Sequence, residues 1–154
     1  VTSNEIKKII DIDASTKVVF KALTNIEDLT QWFPDQGTIE PKIGGKMHFR
    51  FLPNQKMDKE GSLDGEILEY IPDKKFSYTF IPGRGCISDM PSDGKIKPTI
   101  VTWELEELGK NKTRVTLTHS GFDKEMDEIF KQTTAGWNYF AGRLVTYCQN
   151  KRGN

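Results

Sequence analysis

The stretch KEMDEIFKQTTAGWNYFAGRLVTYCQNK, residues 124–151, decides the fold. Ile129, Phe130, Thr133, Trp137, Phe140, Leu144, Val145 and Cys148 recur there at spacings of three and four, the signature of one apolar face on a long α-helix. Such a face needs a broad apolar surface to lie against. Gly136 and Gly142 fall inside the stretch, and each costs up to about 1 kcal/mol relative to alanine. The helix is therefore expected to bend there, or to be approached by another backbone.

Upstream, from residue 36 to 120, the period changes to two. Met47, Phe49 and Phe51 alternate in one run, Phe76, Tyr78 and Phe80 in a second, Val101, Trp103 and Leu105 in a third, and Val115, Leu117 and His119 in a fourth. Gly44-Gly45, Pro53-Asn54, Pro72-Asp73 and Gly109-Lys110-Asn111 separate the runs as turns, so this region reads as an antiparallel meander of about six strands. Between Pro82 and Pro98 no period survives, and the segment reads as a long loop at a sheet end, with Met90 and Ile87 placed to fold over an opening as a lid.

At the N-terminal end, Ile6, Ile10 and Ile12 mark a strand over Glu5 to Asp13. Asp13 or Ser15 can cap a helix carrying Val18, Val19, Ala22 and Leu23, and a second short helix is expected from Asn25 or Ile26 to Trp32, stopped by Pro34. One strand, two short helices, a meander and one long helix bury their apolar faces economically if the sheet curls around the long helix. The result is an α+β domain of six to seven strands spanning residues 1–154. A curved sheet does not touch one helix along its whole concave face, so an apolar cavity of about a few hundred Å³ is expected between them.

Composition narrows the function. Twenty-two basic residues balance twenty-two acidic ones, which leaves no net field to hold a nucleic acid. Runs such as Ile100-Val101-Thr102-Trp103 are too short to span a membrane, and the first residues lack the order of a signal peptide, so the chain reads as cytoplasmic. Cys86 and Cys148 are read as free thiols, Cys148 as a small buried hydrophobe, and neither histidine has a metal-ligand partner at the necessary spacing. No cofactor or metal is implied.

The order of motifs resembles the START-like or SRPBCC helix-grip superfamily, and within it the activator of heat-shock protein 90 ATPase homologues. The resemblance rests on Ala14-Ser15, Val18 to Thr24, Trp32-Phe33-Pro34, Gly44 to Phe49, Gly65 to Pro72, Thr102 to Glu106, Thr113 to Phe122 and Gly136-Trp137, in that order across nearly the whole chain. It implies a helix-grip fold, a monomer or homodimer, and a role linked to stress response. It implies no single chemistry, because such folds host binders, cyclases and regulators alike.

The candidate ligand-binding residues are Trp32, Phe33, Phe49, Phe51, Tyr78, Phe80, Trp103, His119, Trp137 and Phe140, the aromatic rings and imidazole expected to line the interior, with the Tyr78 hydroxyl orienting a mostly apolar molecule. His119 is expected to face inward, bound to a ligand or to a backbone carbonyl, whereas His48 faces solvent. Glu66 and Glu69 have opposite parity and make no acid and base pair, Glu104 and Glu106 read as an outer face, and Gly44-Gly45-Lys46 reads as a hairpin turn. Three functions follow. The first is binding of a small hydrophobic molecule, lipid or polyketide-like. The second is modulation of a chaperone ATPase through an exposed Trp32-Phe33-Pro34 corner and the 82–98 loop. The third is a cyclase or hydrolase, which requires Tyr78 and His119 to converge within hydrogen-bonding reach.

Overall fold

The computed structural model describes residues 4–52, 61–82, 98–122 and 126–151. The chain opens with β1 (Asn4–Ile12), then α1 (Thr16–Thr24) and α2 (Ile26–Leu29). A meander follows of β2 (Gln36–Ile39), β3 (Lys46–Phe51), β4 (Gly61–Ile71), β5 (Lys75–Pro82), β6 (Thr99–Gly109) and β7 (Lys112–Phe122), and α3 (Asp127–Lys151) closes it. The strands form one seven-stranded antiparallel sheet in the order β1-β7-β6-β5-β4-β3-β2, curved in the manner of a helix-grip fold. The first strand thus returns to pair with the last, which draws the two ends of the fold together.

Local chemistry sets the boundaries. The Ser15 hydroxyl accepts from the Val18 amide at 3.2 Å and caps α1, whose Val19, Phe20, Ala22 and Leu23 are buried. The Asn25 side chain accepts from the Glu27 amide at 2.9 Å and starts α2. On β3 the alternation is strict, with Met47, Phe49 and Phe51 buried and Lys46, His48 and Arg50 exposed. The concave face, α1 and α3 share one core that includes Ile12, Val101, Val115, Leu117, Leu144 and Cys148.

Three expectations are corrected. The second helix ends at Leu29, not Trp32, and the Trp32-Phe33-Pro34 corner is buried, with Trp32 1% and Phe33 7% exposed. The Trp32 indole N–H donates to the Ala22 carbonyl at 2.8 Å and the Phe33 amide to Leu29 at 2.9 Å, so the turn after α2 folds its rings inward against α1. Of the two expectations for the glycines of α3, the close approach of another backbone does not hold among the described residues: a Cβ built on Gly136 or Gly142 meets nothing within 4 Å. The helix runs from Asp127 to Lys151 through both. Cys86 and the lid proposed over 82–98 lie outside the described residues, which stop at Pro82 and resume at Pro98.

Candidate functional site

All ten candidate residues stand in one connected cluster. Phe33 is its hub, stacked on Trp32 at 5.2 Å and on Trp137 at 5.4 Å between ring centroids. Its edge contacts run to Phe49 at 5.8 Å, Phe51 at 5.3 Å and Phe140 at 4.9 Å. Trp137 meets Trp103 at 5.5 Å and Phe80 at 6.2 Å, so α3 is joined through one indole to β5, β6 and the α2 turn. Phe33 stands between Phe49 and Trp137 and touches both. Of the ten, Phe80 and Phe140 are only half-buried, which marks where the cluster reaches the surface.

His119 sits in this cluster fully buried. The Trp137 indole N–H donates to Nδ1 at 2.9 Å, so Nδ1 carries no proton and the neutral ring is protonated at Nε2. Nε2–H donates to Thr99 Oγ1 at 2.6 Å, and the Thr99 hydroxyl donates to the Phe80 carbonyl at 3.3 Å. Donor and acceptor therefore alternate along a chain from α3 through β7 and β6 to β5. Burial pushes the His119 pKa down to about 3, because a charged imidazole there would lose its hydration and aim a second N–H at the Trp137 donor. The backbone carbonyl expected as its partner is reached only through Thr99.

Tyr78 lies in the same row. Register places Tyr78 opposite Val101 and Val101 opposite His119, so the phenol and the imidazole are two strand spacings apart, roughly 10 Å. Among the described residues no hydrogen bond joins the two side chains: the phenol is bonded to Trp103, the imidazole to Trp137 and Thr99. The Trp103 indole donates to the Tyr78 hydroxyl over a long 3.4 Å, and burial raises the hydroxyl's pKa well above its ordinary range, so it stays a donor. Its own proton meets no acceptor among the described residues.

Two members of the site escaped the sequence reading. Thr99 shares strand parity with Val101 and Trp103, a signal sufficient to find it. Phe122 packs on His119 at 4.6 Å and on Phe130 at 5.3 Å, but Gly121, at φ +99°, breaks the alternation that would have pointed to it. Elsewhere the polar groups are committed outside the core. His48 is exposed against Asp64, Lys46 against Glu66, and Lys75 reaches Glu69 at 3.3 Å. Gly44 and Gly45 make a turn whose backbone bonds to Ile67 at 2.8 and 2.9 Å. Cys148 is buried, and its thiol is pushed up to about 12, mainly by burial. Among the described residues the buried polar side chains are Thr24, Ser77, Thr99, Thr113, His119 and Thr133, all neutral, and no three potential metal ligands stand together.

The family model for Activator of Hsp90 ATPase homolog 1-like protein matches residues 13–149. Among solved structures, the protein MLL2253 of Mesorhizobium loti superposes with a TM-score of 0.77 at 19% identity, covering 96% of this chain and 98% of that one. The Aha1 dimer of Colwellia psychrerythraea gives a TM-score of 0.74 at 23% identity, covering 97% and 99%. DynU16, from the dynemicin biosynthetic locus, gives 0.74 at 20% identity and covers 98% of this chain, which spans about half of it (49%). No curated protein matches the sequence. At these identities the superpositions establish the fold alone.

Proposed function

Since the chain belongs to the family of activator of Hsp90 ATPase homolog 1-like proteins, we propose that its helix-grip interior binds one small, uncharged, mostly apolar molecule between α3 and the concave sheet. The observation that carries this reading is the uncommitted donor on Tyr78. The indoles of Trp32 and Trp137 and both nitrogens of His119 are spent on protein partners, so among these groups of the described residues the phenolic O–H is left to meet a carbonyl or ether oxygen of a guest. An unused buried donor costs about 1–3 kcal/mol, which a guest acceptor would offset. The neutrality of the buried polar side chains among the described residues disfavours a charged ligand, which would find no counter-charge among them. The half-buried Phe80 and Phe140 mark the entrance, and the ten aromatic cluster members form the lining.

Polyketide-like molecules fit these requirements, and DynU16 comes from a biosynthetic locus. Self-association is part of the proposal, because the Colwellia relative is a dimer. The chaperone reading drawn from the family description keeps less support, since the corner expected to dock a partner is buried. Native mass spectrometry of freshly purified protein tests the main reading by seeking a co-purified neutral compound. In parallel, 9-fluorenone, a flat neutral ketone, should quench tryptophan fluorescence saturably, and Tyr78→Phe should weaken that binding roughly tenfold, the loss of one hydrogen bond. No co-purified molecule together with no saturable quenching would refute it.

A further inference from the structure

Strand β1 lies at one end of the sheet, and among the described residues it pairs with β7 alone, leaving its outer backbone groups open. A long open edge is a template for another strand, and natural proteins usually blunt it. The opposite edge, β2, is only four residues long. On β1 the register against β7 is unbroken from Ile6 to Ile12, with an irregularity between Asn4 and Ile6. The midpoint of that regular stretch is Ile9.

Its exposed face carries Glu5, Lys7, Ile9 and Asp11, and Ile9 is 63% exposed, a large apolar side chain left in water on an open edge. We propose that this edge pairs antiparallel with β1 of a second copy about a twofold axis at Ile9, joining two sheets into one. In that register Ile9 packs on Ile9 of the second copy, and Lys7 faces Asp11 of the second copy twice over. Asp11 already binds Arg114 on β7 through two hydrogen bonds of 2.9 and 3.1 Å. The outer face would thus read Arg114, Asp11, Lys7, with signs alternating across the junction. On the inward face Ile6 and Ile12 come opposite one another, and Lys8, whose ammonium is held by Asn138 of α3, comes opposite Ile10.

Neighbouring registers lose this match. Moving the axis to Lys8 sets Lys8 against itself and Lys7 against Ile9, while moving it to Ile10 sets Ile9 against Asp11. Registers that mix odd and even positions join a concave face to a convex one. The two Lys7–Asp11 pairs therefore favour this pairing over its neighbours, outweighing the approach of Glu5 to Asp13 at the two ends of the strand, and the short β2 gives no second edge for growth into a filament.

This inference rests on the self-association reading above, and its test separates the two. Sedimentation velocity on the full chain should show a concentration-dependent dimer. Lys7→Glu and Asp11→Lys, each alone, face like charges twice across the axis and should raise the dimer dissociation constant at least tenfold. An equimolar mixture of these two variants restores both opposite-charge pairs and should dimerise as the natural chain does. Ile9→Lys, at an exposed position, should also give monomer with an unchanged far-ultraviolet circular dichroism spectrum. A natural chain that stays monomeric refutes both readings. A dimer indifferent to the single substitutions, or a mixture that fails to recover, refutes the edge pairing and leaves self-association standing.

Discussion

Acidification should destabilise this protein through one buried imidazole before its carboxylates protonate. In the unfolded chain His119 takes up a proton near its ordinary value of 6.5, whereas in the folded chain it resists until about 3. Between those values the unfolded state binds one more proton, so stability rises with pH and is lost as pH falls, by up to about 1.4 kcal/mol per pH unit. From about pH 7 to about pH 5, a window above most carboxylate titration, the expected loss is about 2 kcal/mol. The cause lies in the geometry: protonating Nδ1 would break the 2.9 Å bond from Trp137 and oppose two N–H groups in a dry core. Urea unfolding at the two pH values measures the loss. The imidazole should also keep its neutral, Nε2-protonated nitrogen shifts at the lower pH. A flat stability profile, or a His119 that titrates near its ordinary value, would refute the argument.

Thr99→Val should cost about 1–2 kcal/mol in urea unfolding, because the isosteric change strands the His119 Nε2–H without an acceptor while adding only one buried methyl. Gly142→Ala should stabilise the fold by up to about 1 kcal/mol in thermal or urea unfolding, since its Cβ meets no atom within 4 Å and the helix gains propensity. Cys148 should resist alkylation in the native protein and react fully in denaturant, as expected of a buried thiol pushed up to about 12.

Periodicity by itself determined most of the architecture. The 3.6-residue spacing of Ile129 to Cys148 marked α3, the two-residue spacing of Phe49, Tyr78, Trp103 and Leu117 marked the strands and their inner faces, and capping residues placed two helix starts to within two residues, the structure choosing Ser15 over Asp13 and Asn25 as the cap before Ile26. These are local signals, because side-chain direction follows backbone conformation within a few residues. The ring cluster was legible to the same depth: inward parity grouped strand rings that meet around Phe33. Only the tertiary structure decided which polar atoms are spent. The bond from Trp137 to His119 and the one from His119 to Thr99 join residues far apart in sequence, brought together by β6, β7 and α3. The burial of Trp32-Phe33-Pro34 was likewise hidden, because proline signals a stop but not the side to which the chain turns. A turn's local chemistry ends a helix; the core it faces decides whether its rings go in or out.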